Sequence, residues 1–279
     1  MACKVACKAK VFWSHFNNKQ EAVGRLLDAA GLASFLTSGH FKSKTFVLIK
    51  PNLVNESPFP VTTPDWIVRK LVSYIRSINS NIQIVLAEGT GQPEKNTLEM
   101  FIHHGYTTIR GVDFVDLNEE DCVAVPLPRG KKWQTLYIPA ILQEAFLISV
   151  PVLKAHTLAG VTLSMKNMIG VCPPKFYQSD GFWRKSAFHS RIHEAIFDLN
   201  MARKPDFCLL DATVGLSQSH LSGPTCNPPI NKILAGSDPV AIDAFGAKLL
   251  SKKWQEIGHI KMANNHVGQA DAEIIKIPV

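Results

Sequence analysis

Short apolar runs bounded by polar turns alternate along the chain with stretches whose apolar positions recur at helical spacing, the pattern of an alternating α/β fold. Lys8 to Trp13 reads as a strand, and Gln20 to Leu36 as an amphipathic helix with Val23, Leu26, Leu27, Ala30 and Leu32 on its inner side. Thr45 to Ile49 (TFVLI) predicts a buried strand, followed by the loop Lys50 to Pro64. Thr63 as N-cap and Pro64 at the first helical position open a helix toward Ile78. Ile82 to Ala87 is the next strand. It ends in the polar turn Glu88-Gly89-Thr90-Gly91, before a helix at Glu94 to His104.

Val112 to Val115 and Cys122 to Val125 predict short strands, and Ala145 to Val150 a central one stopped by Pro151. Lys154 to Pro174 mixes cationic, hydroxyl and small residues within apolar surroundings, a composition suited to a lined cavity rather than a solvated face. Phe188 to Met201 reads as a helix, Phe207 to Leu210 as a strand ending at Asp211, and Lys232 to Ala235 as another strand. Asp238 caps a helix that starts at Pro239 and runs through Leu250, and Trp254 to Asn264 is a last helix. The expected architecture is α/β: two lobes with mainly parallel sheets flanked by helices, an N-terminal lobe over 1–135 and a C-terminal lobe over 136–279. A chain crossover falls near 125–150, and the site is expected in the inter-lobe cleft.

Composition narrows the partners. The 279 residues carry 30 Lys and Arg against 23 Asp and Glu, a net charge of +7, and a hydrophobic share of 46% excludes disorder as a global description. No apolar run approaches the roughly 18 residues of a membrane span, and Met1 to Lys10 alternates Lys with Val, Ala and Cys instead of forming the apolar core of a secretory signal. A cytoplasmic protein with no membrane partner is expected. The basic residues are dispersed, the densest groups being Lys42/Lys44 and Arg129/Lys131/Lys132, and no nucleic-acid motif accompanies them. Their field suits a solvated surface or a small anion rather than a nucleic acid. The six cysteines show no disulfide framework, so reduced thiols are expected, and Cys3-x3-Cys7 lacks the further close cysteines of an iron–sulfur run.

Ligands of open parallel sheets bind beyond the carboxyl ends of the strands. The polar residues that follow the expected strands are Lys50 and Asn52, Glu88 and Thr90, Lys154 and His156, Asp211, and Ser237 with Asp238, which together imply a convergent cleft. The richest stretch runs from Lys154 to Asn167 and holds His156, Thr157 and Lys166. Such cations bind a carboxylate or phosphate, and a desolvated lysine acts as a base or an imine-forming nucleophile. His156 would transfer protons near neutral pH. The blander alternative has Lys166 snorkelling and His156 satisfying a backbone group. His189 and His193, at i and i+4 on the expected helix, would face one metal or anion, or only the helix surface. Asp211 and Asp243 could supply oxygen ligands or a general base. Cys172, shortly after Lys166, is a secondary candidate for a reactive thiol.

Several of these segments occur in a fixed order: Lys50-Pro51-Asn52-Leu53-Val54, Thr62-Thr63-Pro64, Glu88-Gly89, Asp116-Leu117-Asn118, Ile148-Ser149-Val150-Pro151 running into Lys154-x-His156, and Met165-Lys166-Asn167-Met168-Ile169-Gly170. They continue with His189-x3-His193, Asp198-Leu199-Asn200 and Gly236-Ser237-Asp238-Pro239-Val240-Ala241-Ile242-Asp243-Ala244. Together they resemble the domain of unknown function family 362 over nearly the whole chain. Many members of that family carry ferredoxin-like cysteine clusters, which this chain lacks, and it departs from the usual pattern at Ala155, Cys172 and Cys226. A more distant similarity is to the nickel-pincer lactate racemase family, whose histidine and cofactor-tethering lysine look like His156 and Lys166. That resemblance implies two α/β domains with the site between them and would leave His189 or His193 as nickel ligand. The racemase's other catalytic histidine has no counterpart, because the turn after Glu88-Gly89 reads Thr90-Gly91-Gln92.

The expected function is an enzyme that binds a small anionic organic substrate through Lys50, Lys154 and Lys166 and performs proton-transfer chemistry, as an isomerase, cyclase or lyase. His156 would be the main acid/base, Lys166 an oxyanion stabiliser or imine-forming amine, and Glu88 or Asp211 the counter-base. Asn52, Thr90, Thr157, Asn167, His189, His193 and Cys172 would contact substrate. No cofactor is the first expectation; a nickel-pincer group, or a divalent metal on His189, His193 and Asp243, is the alternative, with a redox protein or a non-catalytic anion-binding protein as competing functions. A homodimer is a further expectation.

Overall fold

The computed structural model describes residues 8–16, 21–42 and 44–278, so Cys3 and Cys7 lie outside the described residues. The first expected strand is β1 (Lys10–His15). The long helix expected after it is split into α1 (Glu21–Ala29) and α2 (Leu32–Thr37), because Gly31 between them takes φ 77°, a left-handed conformation that ends a helix. A short α3 (Gly39–Lys42) follows. The TFVLI run becomes β2 (Phe46–Pro51), which carries Lys50 inside the strand. The next helix, α4 (Asp65–Ile78), has Pro64 rather than Thr63 at its cap. Thr63 is occupied elsewhere: its Oγ1 accepts from the Asn52 N–H at 2.9 Å and donates to the Val150 carbonyl at 2.7 Å. Then come β3 (Ile84–Glu88), α5 (Thr97–His103) behind a reciprocal Asn96–Glu99 capping box, β4 (Asp113–Asp116), β5 (Cys122–Pro126), β6 (Thr135–Pro139), α6 (Ile141–Glu144) and β7 (Ala145–Val150).

The second half departs further from its pattern. Lys154 to Pro174 contains the hairpin of β8 (Val152–His156) and β9 (Gly160–Thr162), then α7 (Ser164–Asn167), and leads into α8 (Pro174–Tyr177). Arg191 takes φ 51°, so α9 spans only Ile192–Ala202 and His189 precedes it. β10 (Phe207–Leu216) runs well past Asp211, pairing first with β7 and then with β8. After β11 (Lys232–Gly236), Asp238 Oδ1 accepts from the Val240 and Ala241 N–H groups and caps α10 (Pro239–Leu249), as its sequence predicts. α11 (Gly258–Ala263) and β12 (Glu273–Lys276) complete the order.

Among the described residues, ten strands form one mainly parallel sheet along the path β12-β1-β11-β10-β7-β2-β3-β4, with β8 and β9 attached to β10. Strands from both sides of residue 135 share it, while β5 and β6 form a separate hairpin. Alternation in β2 sends Val47 and Ile49 into a core with α1, α2 and α4, and Phe46 and Leu48 into a second core with β6 and α9. A third core joins α9, α10 and α11 to β10. With both faces covered, the strands are continuously apolar until their carboxyl ends, where the charges begin. β2, β3 and β7 run parallel and therefore deliver Lys50, Glu88 and Val150 to one edge. Among the described residues no helix is long and apolar enough to cross a membrane.

The link between β5 and β6 is held from across the core by Asp198 of α9, whose buried carboxylate accepts the backbone N–H groups of Lys131 and Lys132 at 2.6 Å and of Trp133 at 2.9 Å. Asp198→Ala strands these donors and is expected to lower unfolding stability by roughly 3 kcal/mol. Asp198→Asn, which keeps one carbonyl acceptor, should lose less in urea denaturation; equal stability of Asp198→Ala and wild type would remove this role.

Candidate functional site

Lys50 is fully buried one residue before the end of β2, and Glu88 closes the neighbouring β3. Lys50 Nζ donates to Glu88 Oε2 at 2.7 Å, to the Pro51 carbonyl at 3.0 Å and to Asn167 Oδ1 at 3.2 Å. An ammonium has three N–H donors, so Lys50 is saturated. Burial lowers its pKa, and Glu88 opposes that shift. Glu88 is engaged too: Oε2 also accepts the Leu53 N–H at 3.1 Å, and Oε1 accepts the Gly89 N–H at 2.9 Å. Asn167 Nδ2 returns to the Lys50 carbonyl and to Ser149 Oγ. Lys50 and Asn167, expected to contact substrate, fasten three segments together, and Asn167 also lines the adjoining cavity. Space enforces this arrangement, since a Cβ on Gly170 would lie 2.0 Å from Glu88 Oε1 and 2.5 Å from Lys50 Nζ.

Beside this network is a small cavity of about 90 Å³ lined by Lys154, Lys166, Lys185, His189, His220 and Thr162, with Asn52, Glu88 and Trp183 at its walls. Lys154 Nζ donates to Asn52 Oδ1 at 2.6 Å and to the Val61 carbonyl at 2.5 Å. Lys185 Nζ donates to the carbonyls of Gly89 at 2.7 Å and Gly170 at 2.6 Å. Each therefore keeps one N–H for a ligand. Burial holds the Lys154 pKa well below its ordinary value, reinforced by the neighbouring Lys166 charge, and lowers Lys185 to about 8. Lys166, on α7, differs from all of these: among the described residues its amine has neither hydrogen bond nor ion pair, and desolvation alone brings its pKa to about 8. Thr162 Oγ1 is buried with no partner.

His156 closes the β8 strand behind His220, the rings stacked with centroids 4.0 Å apart. Its Nδ1 accepts the backbone N–H groups of Leu158 and Ala159, both at 3.1 Å, which places the ring proton on Nε2. Burial, then the Lys166 charge, lowers its pKa, so the ring is neutral and packs face to face on His220, and among the described residues its Nε2 has no hydrogen-bond partner. The expected role as main acid/base does not suit that tautomer. His220 is itself lowered to about 3 by burial and Lys166, and exposed His189, at the cavity mouth, is lowered for the same reasons.

The other candidates lie elsewhere. His193 is separated from His189 by the late start of α9 and faces His259, Nδ1 to Nδ1 at 3.2 Å. Asp243 accepts the Ser164 and Met165 N–H groups at 2.7 and 3.0 Å and so caps α7 from below. Asp211 Oδ1 is held by the Thr213 N–H and hydroxyl, and burial raises its pKa to about 6, away from the cavity lining. Cys172 is buried in the core, its thiol raised to about 12 by desolvation, and Thr157 is exposed on the β8–β9 turn. Thr90 is spent on the loop after β3, where its Oγ1 donates to the Val54 carbonyl. Sequence reasoning missed Lys185, Trp183 and His220, whose only signal was their polar or aromatic character in loops assigned no element.

The donors do not fit a nickel-pincer group. His193 and Asp243 point to other partners, His156 Nδ1 is taken by the backbone, and the cavity is far below the ~300 Å³ of a site for a drug-sized ligand. Among the described residues no group of three His, Cys, Asp or Glu side chains could hold a metal ion. A family model described as a domain of unknown function, DUF362, matches residues 47–248, which run from β2 into α10 and include every cavity residue named above. Among curated proteins none matches the chain.

Gly170→Ala is expected to break the Lys50–Glu88 contact and lower unfolding stability by about 1–3 kcal/mol. Gly24→Ala, where a Cβ meets nothing within 4 Å, should leave the thermal midpoint unchanged or slightly raised. Equal midpoints for Gly170→Ala and wild type would contradict the close approach.

Proposed function

The chain belongs to the DUF362 family, and on that premise we propose that it is an enzyme binding a small anionic organic substrate in the lysine-lined cavity and catalysing proton transfer with the Lys166 amine. The observation that carries this is the unpartnered Lys166 amine among two lysines that each keep a spare N–H donor. Glu88 is the one carboxylate in the lining, and it is neutralised by Lys50. A carboxylate or phosphate ligand would satisfy the spare donors of Lys154 and Lys185 and the Thr162 hydroxyl. Charge-assisted bonds of this kind are roughly twice as strong as neutral ones.

A pKa near 8 suits the amine to give and take a proton at neutral pH. His189 and His220, neutral in these surroundings, would orient the substrate as donors or acceptors. The chemistry is that of an isomerase, cyclase or lyase, in which a proton leaves carbon next to a stabilised anion. A purely anion-binding protein would use the same lysines without needing an amine of lowered pKa.

The sign of the Lys166 shift separates function from stability. Its folded pKa is about 8 against an ordinary 10.5, so between those values the unfolded chain binds more protons and stability rises with pH. At pH 7 the charged amine therefore opposes folding, and Lys166→Met is expected to keep or raise the thermal midpoint. The same variant should slow wash-in of solvent deuterium at the α-carbon of short-chain hydroxy and oxo acids, followed by NMR, by about 10²–10⁴-fold. Wild-type exchange should rise through pH 8 as the amine loses its proton. Exchange equal in wild type and Lys166→Met would leave only the anion-binding function.

A further inference from the structure

We propose that Lys166 forms an imine with the carbonyl of a short-chain 2-oxo acid, whose carboxylate is held by the spare N–H donors of Lys154 and Lys185. This rests on the anion-binding, proton-transferring function assigned to the same cavity and adds its substrate class and a covalent step. Four lysines reach this region, and three of them are anchored: Lys50 by three acceptors, Lys154 and Lys185 by two each. A lysine whose nitrogen is fixed in place as a donor is held in this way. Lys166 has no such anchor, and its surroundings strip it of water, which favours the free amine. A neutral amine with an open lone pair is a nucleophile toward carbonyl carbon.

The step balances without an oxidant or reductant. The nitrogen lone pair adds to the carbonyl carbon, the C=O pair moves to oxygen, and a proton passes from nitrogen to that oxygen to give a carbinolamine. A second proton, taken from solvent, protonates the hydroxyl, and the nitrogen lone pair expels it as water, leaving C=N⁺. Electron withdrawal by the iminium lets the α-proton leave to the unprotonated nitrogen of His189 or His220, giving an enamine. Reprotonation and hydrolysis return the amine. The small cavity, about 90 Å³, suits a substrate of a few carbons.

Sodium borohydride reduces an imine to a stable secondary amine that proteolysis and mass spectrometry can locate. Wild-type protein treated with pyruvate and borohydride is expected to carry its adduct on Lys166, with little from propanal, which has the carbonyl but no carboxylate, and Lys166→Arg should carry none there. The wild-type result stands whether or not the variant folds. No adduct on Lys166, labelling spread evenly over exposed lysines, or equal labelling by propanal overturns the proposal. In those cases the protection of Lys166 by oxalate against acetic anhydride separates the two ideas. Slower acetylation means the anion-binding cavity survives and the imine alone falls, and no protection means both fall.

Discussion

The 2.7 Å ion pair between Lys50 and Glu88 sets the geometry of everything around it. Both side chains are almost completely buried at the ends of adjacent parallel strands, where an uncompensated charge would cost several kcal/mol. The pair persists because every ammonium proton and both carboxylate oxygens find partners, which beyond the pair itself are the Leu53 and Gly89 N–H groups, the Pro51 carbonyl and Asn167. Through Asn167 the pair fixes the register of α7, and the residue before Asn167 is Lys166. Through Gly170, whose missing side chain admits Glu88, it brings two backbone carbonyls, of Gly89 and Gly170, within reach of Lys185. The Lys166 amine and one anchored cation are thus placed by an ion pair whose lysine is saturated by its own partners.

Two kinds of buried lysine follow from this arrangement. Lys50 is compensated by an ion and is a structural part. Lys154 and Lys185 are compensated by neutral oxygens, which solvate an ammonium but leave its charge uncancelled, so they project a positive field into the cavity. After burial, the Lys166 charge and then that of Lys154 lower the pKa of His156 and His220. Histidines next to lysines are here a sign of neutral imidazoles. The +7 net charge is accordingly a poor guide, since the charges that define the site are few, inward-facing and outnumbered by those on the surface.

The alternating fold was legible in the sequence because buried parallel strands leave apolar runs such as TFVLI and AFLISV, which emerged as β2 and β7. Asp238-Pro239 announced α10 through its cap chemistry, which is local. Elements were lost where local pattern and tertiary context disagree. The mixed composition of Lys154 to Pro174 hides β8 and β9, since Lys154 and His156 are polar yet buried in their strand. β10 was truncated at Asp211 because a carboxylate reads as a strand end, whereas Thr213 satisfies it within the strand. That truncation hid the route to His220. The pairing of His189 with His193 assumed one continuous helix, and a single left-handed residue, Arg191, divides them. Of the candidate site, Lys154, Lys166 and Asn52 were identifiable because they follow strands, but whether a lysine is anchored or free depends on oxygens distant in sequence, such as the Val61 carbonyl, that no local pattern encodes.

An unpartnered amine and two half-satisfied ammonium groups make a cavity that is electrostatically incomplete by itself, and the form of that incompleteness constrains the chemistry. A carboxylate settling between Lys154 and Lys185 places a negative charge beside the Lys166 amine. In the absence of a ligand, burial brings loss of the amine's proton down to about pH 8, and the filled site favours a positive charge at the same nitrogen. An iminium is such a charge, created as the substrate's carboxylate arrives beside it. The substrate would then supply the counter-ion for its own activated form. The ordering costs little reorganisation, since both anchoring lysines are already held by backbone and amide oxygens before any ligand enters.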